Sequence, residues 1–244
     1  FDCDLRRLLM KYLTRIEVNI RTYITYYVSN LYKTKPCWFI SHAVMKPRYV
    51  NNFYTTVYGT KAFQDNPTII EHHKKYPMDR YAPAWKTLEY MTLGNLEVLY
   101  DSLVLDIDKR IISTHFGEPA TATFKTYLSA IREVRNACAH GNVLLGMTLA
   151  SGIRTGVACP SFPDHTQQTF HGAMRVIDYL MKMVSVNRAN DMWKEIYEAM
   201  RLLYSKSPML QPLIESQTGI ILPVNTAQEV SFFQKIVNSI KKFF

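Results

Sequence analysis

The chain lacks the cysteine patterns that would narrow its class at once. Its four cysteines are irregularly spaced, with no Cys-x2-Cys pair and no cysteine–histidine cluster, at Cys3, Cys37, Cys138 and Cys159. This spacing excludes the common structural zinc sites, and a disulfide framework is not expected in a chain of 244 residues. We therefore expect a reducing, cytoplasmic setting, with neither a metal nor another cofactor.

Glycine and proline are scarce as well, with 9 and 11 copies, which argues against a loop-rich β-sandwich and favours helices. The longest uncharged stretch, between Arg135 and Arg154, contains several polar residues, so we expect no membrane span. A signal peptide is also lacking. Because the chain opens without Met and within a helical pattern, we expect the natural protein to extend before Phe1.

Positive charge is the main compositional surplus. The net charge is +9, and nine lysines and arginines with one acid, Glu17, lie between Arg6 and Arg48. Between Lys86 and Lys109 every charged residue is acidic. The basic segment predicts either contacts with the phosphates of RNA or a solvated face balanced by the acidic stretch, and the charges alone do not choose between them.

Apolar periodicity predicts an all-α fold of the bundle type. Strong three- and four-residue spacing of apolar side chains predicts helices over 3–29, 84–104 and 121–140, with shorter helices over 106–115, 171–184, 189–204 and 227–242. Loops around short helices are expected over 30–83, and an irregular segment that holds short strands is expected over 143–168. We expect one domain over 1–226 and an amphipathic C-terminal extension over 227–244. Asp2 or Asp4 is expected to cap the first helix, and Glu17 to pair with Arg21 one turn away.

The segment from Arg135 to His140 carries an Arg-x4-His pattern that suits cleavage of RNA without a metal. A neutral imidazole, with a pKa near about 6.5, can accept or donate a proton at neutral pH. A guanidinium can bind a phosphate in a bidentate manner and offset its developing charge. Asn136, one turn before His140, can fix the imidazole ring or bind a phosphate oxygen.

The bare pattern has a plainer interpretation and a geometrical difficulty. Five residues correspond to about 140° around a helix, so Arg135 and His140 converge only if the side chain curls back or the helix loosens near Gly141. Otherwise a second subunit must supply the missing group. The plainer interpretation is a helix end with a dipole-stabilised histidine. A second copy of the pattern, Arg110 to His115, is interpreted as a decoy in a core-facing element.

Three passages, in order, resemble a known family. Residues 131–142, IREVRNACAHGN, resemble the Arg-Asn-x3-His signature of the HEPN superfamily of ribonucleases. Residues 5–27, with the run RIEVNIRT, and residues 82–96, with Trp85, Glu89 and Gly94, resemble its Abi-like (abortive-infection) branch. The resemblance runs to about residue 223, where GIILP is similar to the family's closing segment. The stretch 143–157 departs from it, because it is more apolar than the family's basic segment.

The resemblance implies a helical HEPN-type bundle, related to the HEPN domains of Cas13 effectors, that acts without a metal. Such ribonucleases usually work as dimers that bring two Arg/His pairs into one cleft. With one credible motif per chain, this protein is expected to be a homodimer. The implied catalytic residues are Arg135, His140 and Asn136, and the implied products are a 2′,3′-cyclic phosphate and a 5′-hydroxyl end.

The implied function is an endoribonuclease toxin in abortive infection, phage defence or a toxin–antitoxin system. RNA is the expected partner, both as substrate and as a regulatory or antitoxin RNA, and no membrane is expected. The candidate RNA contacts are Arg6, Lys11, Arg15, Arg21 and Arg132. Two alternatives stay open: a non-catalytic HEPN-fold RNA-binding module, and a protein–protein antitoxin or scaffold. Trp85 and Glu89 are expected to brace the fold, and His72 to lie in a surface loop.

Overall fold

The computed structural model describes residues 1–223, without the side chains of residues 163 and 164. Within that range the secondary structure is helical, and the only β-pairing is two isolated bridges, Met45–Leu103 and Thr148–Thr169. The prediction of an all-α fold is confirmed. The predicted extension at 227–244 and the end of the predicted 1–226 domain lie outside the described residues. No helix between residues 1 and 223 carries an apolar stretch long enough to cross a membrane.

The helices vary widely in length. In chain order they are α1 (Asp2–Leu31), α2 (Pro47–Phe53), α3 (Lys61–Gln64), α4 (Pro67–Lys75), α5 (Ala84–Thr87), α6 (Leu93–Ser102), α7 (Asp106–His115), α8 (Thr121–His140), α9 (Phe170–Val184), α10 (Val186–Lys206) and α11 (Gln211–Thr218). Short 3-10 turns lie at Trp38–Ile40, Leu88–Tyr90, Pro163–Gln168 and Pro208–Leu210, and a π-helical turn at Tyr54–Tyr58.

Helix α1 is the centre of the bundle. It packs against α8, α9 and α10, and α8 also packs against α6 and α9. The side chains that recur on one face of α1 are fully buried, as the periodicity predicts, at Leu9, Tyr12, Ile16, Ile20 and Ile24. The corresponding face of α8 is buried at Phe124, Tyr127, Ile131 and Val134. The end of α8 is therefore positioned by the packing of its buried face against α1.

The predicted helix over 84–104 is wrong as a single element. Helix α5 ends at Thr87, a 3-10 turn follows, Met91 is extended, and α6 begins at Leu93. The Thr92 side chain accepts a hydrogen bond from the Asn95 amide at 3.2 Å and thereby caps α6. The periodicity of apolar residues does not detect this break. Leu88, Met91 and Leu93 are all buried, so the apolar pattern continues through it.

The acidic stretch pairs mainly with α8 and not with the basic first helix. Glu97 lies 2.6 Å from Arg132, and Asp101 lies 3.0 Å from Lys125. Both cations belong to α8. The acidic stretch was predicted to balance the basic segment between Arg6 and Arg48. In the structure its acids on α6 pair with cations of α8 instead, because α6 packs against that helix.

A buried carboxylate fastens the irregular segment after α8. Glu118 is 2% exposed, and it accepts hydrogen bonds from the Ala120 amide at 3.0 Å, the Tyr127 hydroxyl at 3.1 Å and the Val157 amide at 2.8 Å. Gly156 passes so close to this group that an added Cβ would clash with Glu118 and Tyr127. The segment predicted to hold short strands is thus fixed by side-chain hydrogen bonds.

We predict that Glu118→Ala lowers the free energy of unfolding by about 2–4 kcal/mol, because it removes the acceptor of one buried hydroxyl and of two partly buried backbone amides. Chemical denaturation of the purified chain measures this change. Glu198→Ala, on the exposed face of α10, is the matched control and should stay within about 0.5 kcal/mol. Equal stability losses for the two variants would contradict the assigned role of Glu118.

Candidate functional site

The Arg-x4-His segment ends a regular helix. Gly141 adopts the left-handed conformation with φ 76°, and the Asn142 amide donates to the Ala137 carbonyl at 2.9 Å. Such a cap is typical of a helix that stops cleanly. The helix does not loosen before Gly141, so Arg135 and His140 point about 140° apart around its axis. Loosening of the helix near Gly141, one of the two ways in which the side chains could converge within one chain, is therefore wrong.

Arg135 is held by an acid from α1. Its Nε lies 3.4 Å from Oε2 of Glu17, and its side chain is 28% exposed. The other oxygen of Glu17, Oε1, accepts a hydrogen bond from Nη2 of Arg21 at 2.6 Å, as the spacing of Glu17 and Arg21 predicts. Arg21 also donates to the Met91 carbonyl at 3.0 Å. We call Glu17, Arg21 and Arg135 the Glu17 cluster.

The Glu17 cluster concentrates positive charge at a half-buried position. Glu17 is 7% exposed, and one carboxylate faces two guanidinium groups. A buried carboxylate is stable only when it is paired, and the pairing leaves an excess of one positive charge. The cluster thus fixes the direction of Arg135 without cancelling its charge. Sequence reasoning paired Glu17 with Arg21 alone, although Glu17 is the single acid among nine cations.

His140 and Asn136 lie on another face of the same helix end. His140 is exposed and Asn136 is half-buried. Within residues 1–223 neither side chain makes a hydrogen bond to the protein. The imidazole of His140 therefore faces solvent without a hydrogen-bond partner among the described residues, while Arg135 is directed toward α1.

The first turn of α1 fastens the loop that follows His140. Asp2 accepts hydrogen bonds from the amides of Leu144 at 2.9 Å and Leu145 at 3.1 Å. Arg6 forms an ion pair with Asp2 and donates to the Asn142 carbonyl at 3.0 Å. The prediction that Asp2 or Asp4 caps α1 is wrong, because no side chain caps that helix. Asp2 instead holds a segment far away in sequence.

Most of the candidate RNA contacts already bind protein groups. Arg6 and Arg21 are engaged as described, and Arg132 binds Glu97 and donates to Ser129 at 3.1 Å. Lys11 pairs with Glu195 of α10 at 2.6 Å. Among the described residues, Arg15 is the one candidate that is exposed and makes no ion pair. Arg6, Arg21 and Arg132 are therefore engaged in contacts that stabilise the fold.

The second copy of the pattern has a packing role. The ring of His115 stacks on Tyr23 of α1 with a centroid separation of 3.4 Å and an interplanar angle of 5°. Burial lowers the pKa of His115 below its ordinary value. This contact with α1 accounts for the position of His115, although Arg110 and His115 are both classed as exposed, and their interpretation as a decoy stays a prediction.

Neither a thiol nucleophile nor a metal cluster is evident near the motif. Burial raises the pKa of Cys138 to about 11, so its thiol stays protonated at neutral pH. Within the described part of the chain, no three His, Cys, Asp or Glu side chains are grouped in a way that would hold a metal ion.

Trp85 and Glu89 do not brace the fold, contrary to the prediction. Trp85 is 57% exposed and Glu89 is exposed as well. Together with Val18, Arg21 and Tyr26 they line a surface groove of about 490 Å³, which we call the Trp85 groove. Arg21 belongs to both this groove and the Glu17 cluster. The groove therefore adjoins the anchor of Arg135.

These features define a class of protein: an all-α bundle whose Arg-x4-His helix end is anchored by a buried carboxylate from its first helix. The chain belongs to the Abi-like protein family, whose sequence profile matches residues 1–145. The matched span contains the Glu17 cluster, Trp85 and the whole Arg-x4-His segment. In general terms, the family associates the chain with abortive infection. No curated protein and no solved structure matches the chain.

We predict that Glu17→Ala lowers the free energy of unfolding by about 3 kcal/mol, because it leaves two half-buried guanidinium groups without a counter-charge. Glu17→Gln should cost less, since the amide oxygen still accepts a hydrogen bond. Urea denaturation measures both values. Glu89→Ala removes an exposed acid that makes no ion pair within residues 1–223, and it should change stability by less than about 0.5 kcal/mol. A neutral effect of Glu17→Ala would refute the anchoring role.

Proposed function

We propose that the protein is a metal-independent endoribonuclease of the HEPN type that acts as a toxin in abortive infection or phage defence. The observation that carries this proposal is the arrangement at the end of α8. Arg135 pairs with Glu17 in a cluster that keeps an excess of one positive charge, while His140 stands exposed at the last residue of the helix. A fixed cation and an available imidazole are the two groups that this chemistry needs.

The active form in this proposal is a homodimer with a composite site. In one chain the two side chains diverge by about 140°, and the capped helix and the Glu17 anchor oppose any rearrangement. A twofold axis near the end of α8 places the Arg135 of each chain close to the partner subunit's His140. Such an interface is self-complementary and is the commonest form of oligomer.

The reaction begins with the 2′-hydroxyl of a ribose attacking the adjacent phosphorus. His140 takes the hydroxyl proton as the new P–O2′ bond forms. The P–O5′ bond breaks, and the partner's His140, as imidazolium, gives a proton to the leaving O5′. Arg135 stabilises the negative charge on the phosphoryl oxygens. The products are a 2′,3′-cyclic phosphate and a 5′-hydroxyl end, and DNA resists because it lacks the 2′-hydroxyl.

The decisive test is cleavage of RNA by the purified chain in the presence of EDTA. We expect cleavage to persist, and His140→Ala and Arg135→Ala each to reduce its rate by about a hundredfold or more. RNA with a 2′-deoxy substitution at the cleaved nucleotide should resist. His42→Ala and Arg110→Ala alter an exposed histidine and an exposed arginine outside the site, and they should cleave at the wild-type rate. Cleavage that needs a divalent metal, or that survives His140→Ala, would disprove the mechanism.

The dimer is tested by mixing two inactive variants, Arg135→Ala and His140→Ala. Mixed dimers retain one Arg135 and one His140 on different chains but lack the second His140, so we expect recovery of only a small part of the wild-type cleavage rate. Light scattering on the wild-type chain should give the mass of a dimer. A fully active monomer, or no recovery from subunits shown to exchange, would eliminate the composite site.

One observation favours a second candidate, a non-catalytic RNA-binding module. No residue between positions 1 and 223 makes a hydrogen bond that orients the ring of His140, whereas a catalytic histidine is usually oriented by a third group. Such a module would bind RNA in a strongly salt-dependent manner and leave it intact under all conditions. The EDTA assay therefore distinguishes the two candidates when RNA binding is measured alongside cleavage.

A further inference from the structure

A second cavity lies beside α4 and α5, apart from the residues of the Arg-x4-His segment. It has a volume of about 610 Å³, and its lining side chains come from three segments, within residues 36–40, 72–81 and 83–86. This volume falls in the range of about 300–1,000 Å³ that is typical of sites for small molecules. We call it the His72 cavity, after the most deeply buried polar side chain that lines it.

His72 has hydrogen-bonding capacity that the protein does not use. It is 4% exposed in helix α4, so the prediction that it lies in a surface loop is wrong. Its Nε2 lies 3.2 Å from Oδ2 of Asp79, yet neither ring nitrogen makes a hydrogen bond to the described residues. Buried polar groups are nearly always hydrogen-bonded, so a histidine of this kind at a cavity wall points to a ligand.

The mouth of the cavity combines exposed apolar side chains with cations. Tyr76 is 46% exposed, Met78 is 94% exposed and Trp85 is 57% exposed. Such a group of exposed large side chains around a concavity is a mark of a binding site. Arg80 and Lys86 also line the cavity and outnumber its one acid, Asp79. The site therefore suits a ligand with a flat aromatic part and a negative charge.

The thiol that lines the cavity is not activated. Cys37 is its one thiol, and burial raises the pKa of Cys37 to about 11. The sulfur also lies 3.7 Å from the carbonyl oxygens of both Tyr81 and Ala82. The thiol stays protonated at neutral pH and faces backbone acceptors, so it is not a nucleophile.

We propose that the His72 cavity binds a nucleotide, with its base packed on Trp85 and its phosphate held by Arg80 and Lys86. Base–aromatic stacking and cation–phosphate contacts are the two interactions that this combination of side chains provides. Nδ1 of His72, which has no hydrogen-bond partner among the described residues, supplies a hydrogen bond from the cavity wall. The nucleotide is either a free mononucleotide or one nucleotide of a single-stranded RNA.

A nucleotide that belongs to a single-stranded RNA would link the His72 cavity to the candidate cleavage site. Trp85 lines both the His72 cavity and the Trp85 groove, and the groove includes Arg21 of the Glu17 cluster. A strand with one nucleotide in the cavity would therefore continue along a surface that adjoins the anchor of Arg135. This arm of the proposal rests on the proposed function, whereas the free-nucleotide arm stands without it.

Isothermal calorimetry tests the proposal in two arms. In the first arm, AMP, GMP, CMP and UMP are titrated into the wild-type chain. In the second arm, single-stranded RNA octamers are titrated into His140→Ala, which leaves the RNA uncut. Each arm is repeated with Trp85→Ala and Lys86→Gln, for which we expect affinity to fall about tenfold or more. Leu202→Ala and Lys206→Gln replace an exposed leucine and an exposed lysine of α10, and they serve as matched controls.

Each outcome decides the proposal. Mononucleotide binding that is weakened by Trp85→Ala and Lys86→Gln, but not by the controls, supports the site and identifies a free nucleotide as its ligand. The same sensitivity with octamers alone identifies a nucleotide within RNA. Absence of binding in both arms, or affinities that the two cavity variants leave at the level of the controls, overturns it. Cleavage is assayed separately with the wild-type chain, so a failed ribonuclease proposal is distinguishable from a failed binding site.

Discussion

The buried carboxylate of Glu17 is the constraint on which the arrangement of this protein depends. A nearly buried acid must be paired, and Glu17 is paired by Arg21 of its own helix and by Arg135 of α8. The same contact joins the two helices at the centre of the bundle and sets the direction of Arg135. Burial of one apolar face sets the rotation of α8, and the charge pairing with Glu17 then sets the direction of the Arg135 side chain.

The positive surplus of the chain serves two purposes. Arg6, Arg21 and Arg132 bind carboxylates and backbone carbonyls that hold α1, α8 and the loop after His140 in place. The cations that line the His72 cavity, Arg80 and Lys86, instead lie among exposed aromatic side chains. Basic composition therefore describes this protein poorly as a whole. The informative quantity is which cations have protein partners and which face open concavities.

Sequence reasoning succeeded where the determinant is local. The long apolar periods of α1 and α8 and the glycine after His140 locate both helices to within two residues. It failed where a helix cap interrupts a continuous apolar periodicity, as at Thr92. It also failed where two residues that bind each other are distant in sequence. Asp2 binds backbone amides 142 and 143 residues away. Trp85 was expected to brace the fold with Glu89, and it is instead 57% exposed on α5, because the neighbours of a short helix are set by contacts that local spacing does not register.

The sequence by itself determined the helical class through side-chain periodicity and the residues of the Arg-x4-His segment through a local motif, while three ordered passages carried the resemblance to the family. Only the tertiary structure decided that Arg135 turns toward Glu17 while His140 faces solvent, and that His72 is buried at the wall of a cavity. The physical reason is that direction and burial are set by contacts between helices. Burial leaves a polar side chain either paired, as Glu17 is, or with unused hydrogen-bonding capacity, as His72 is.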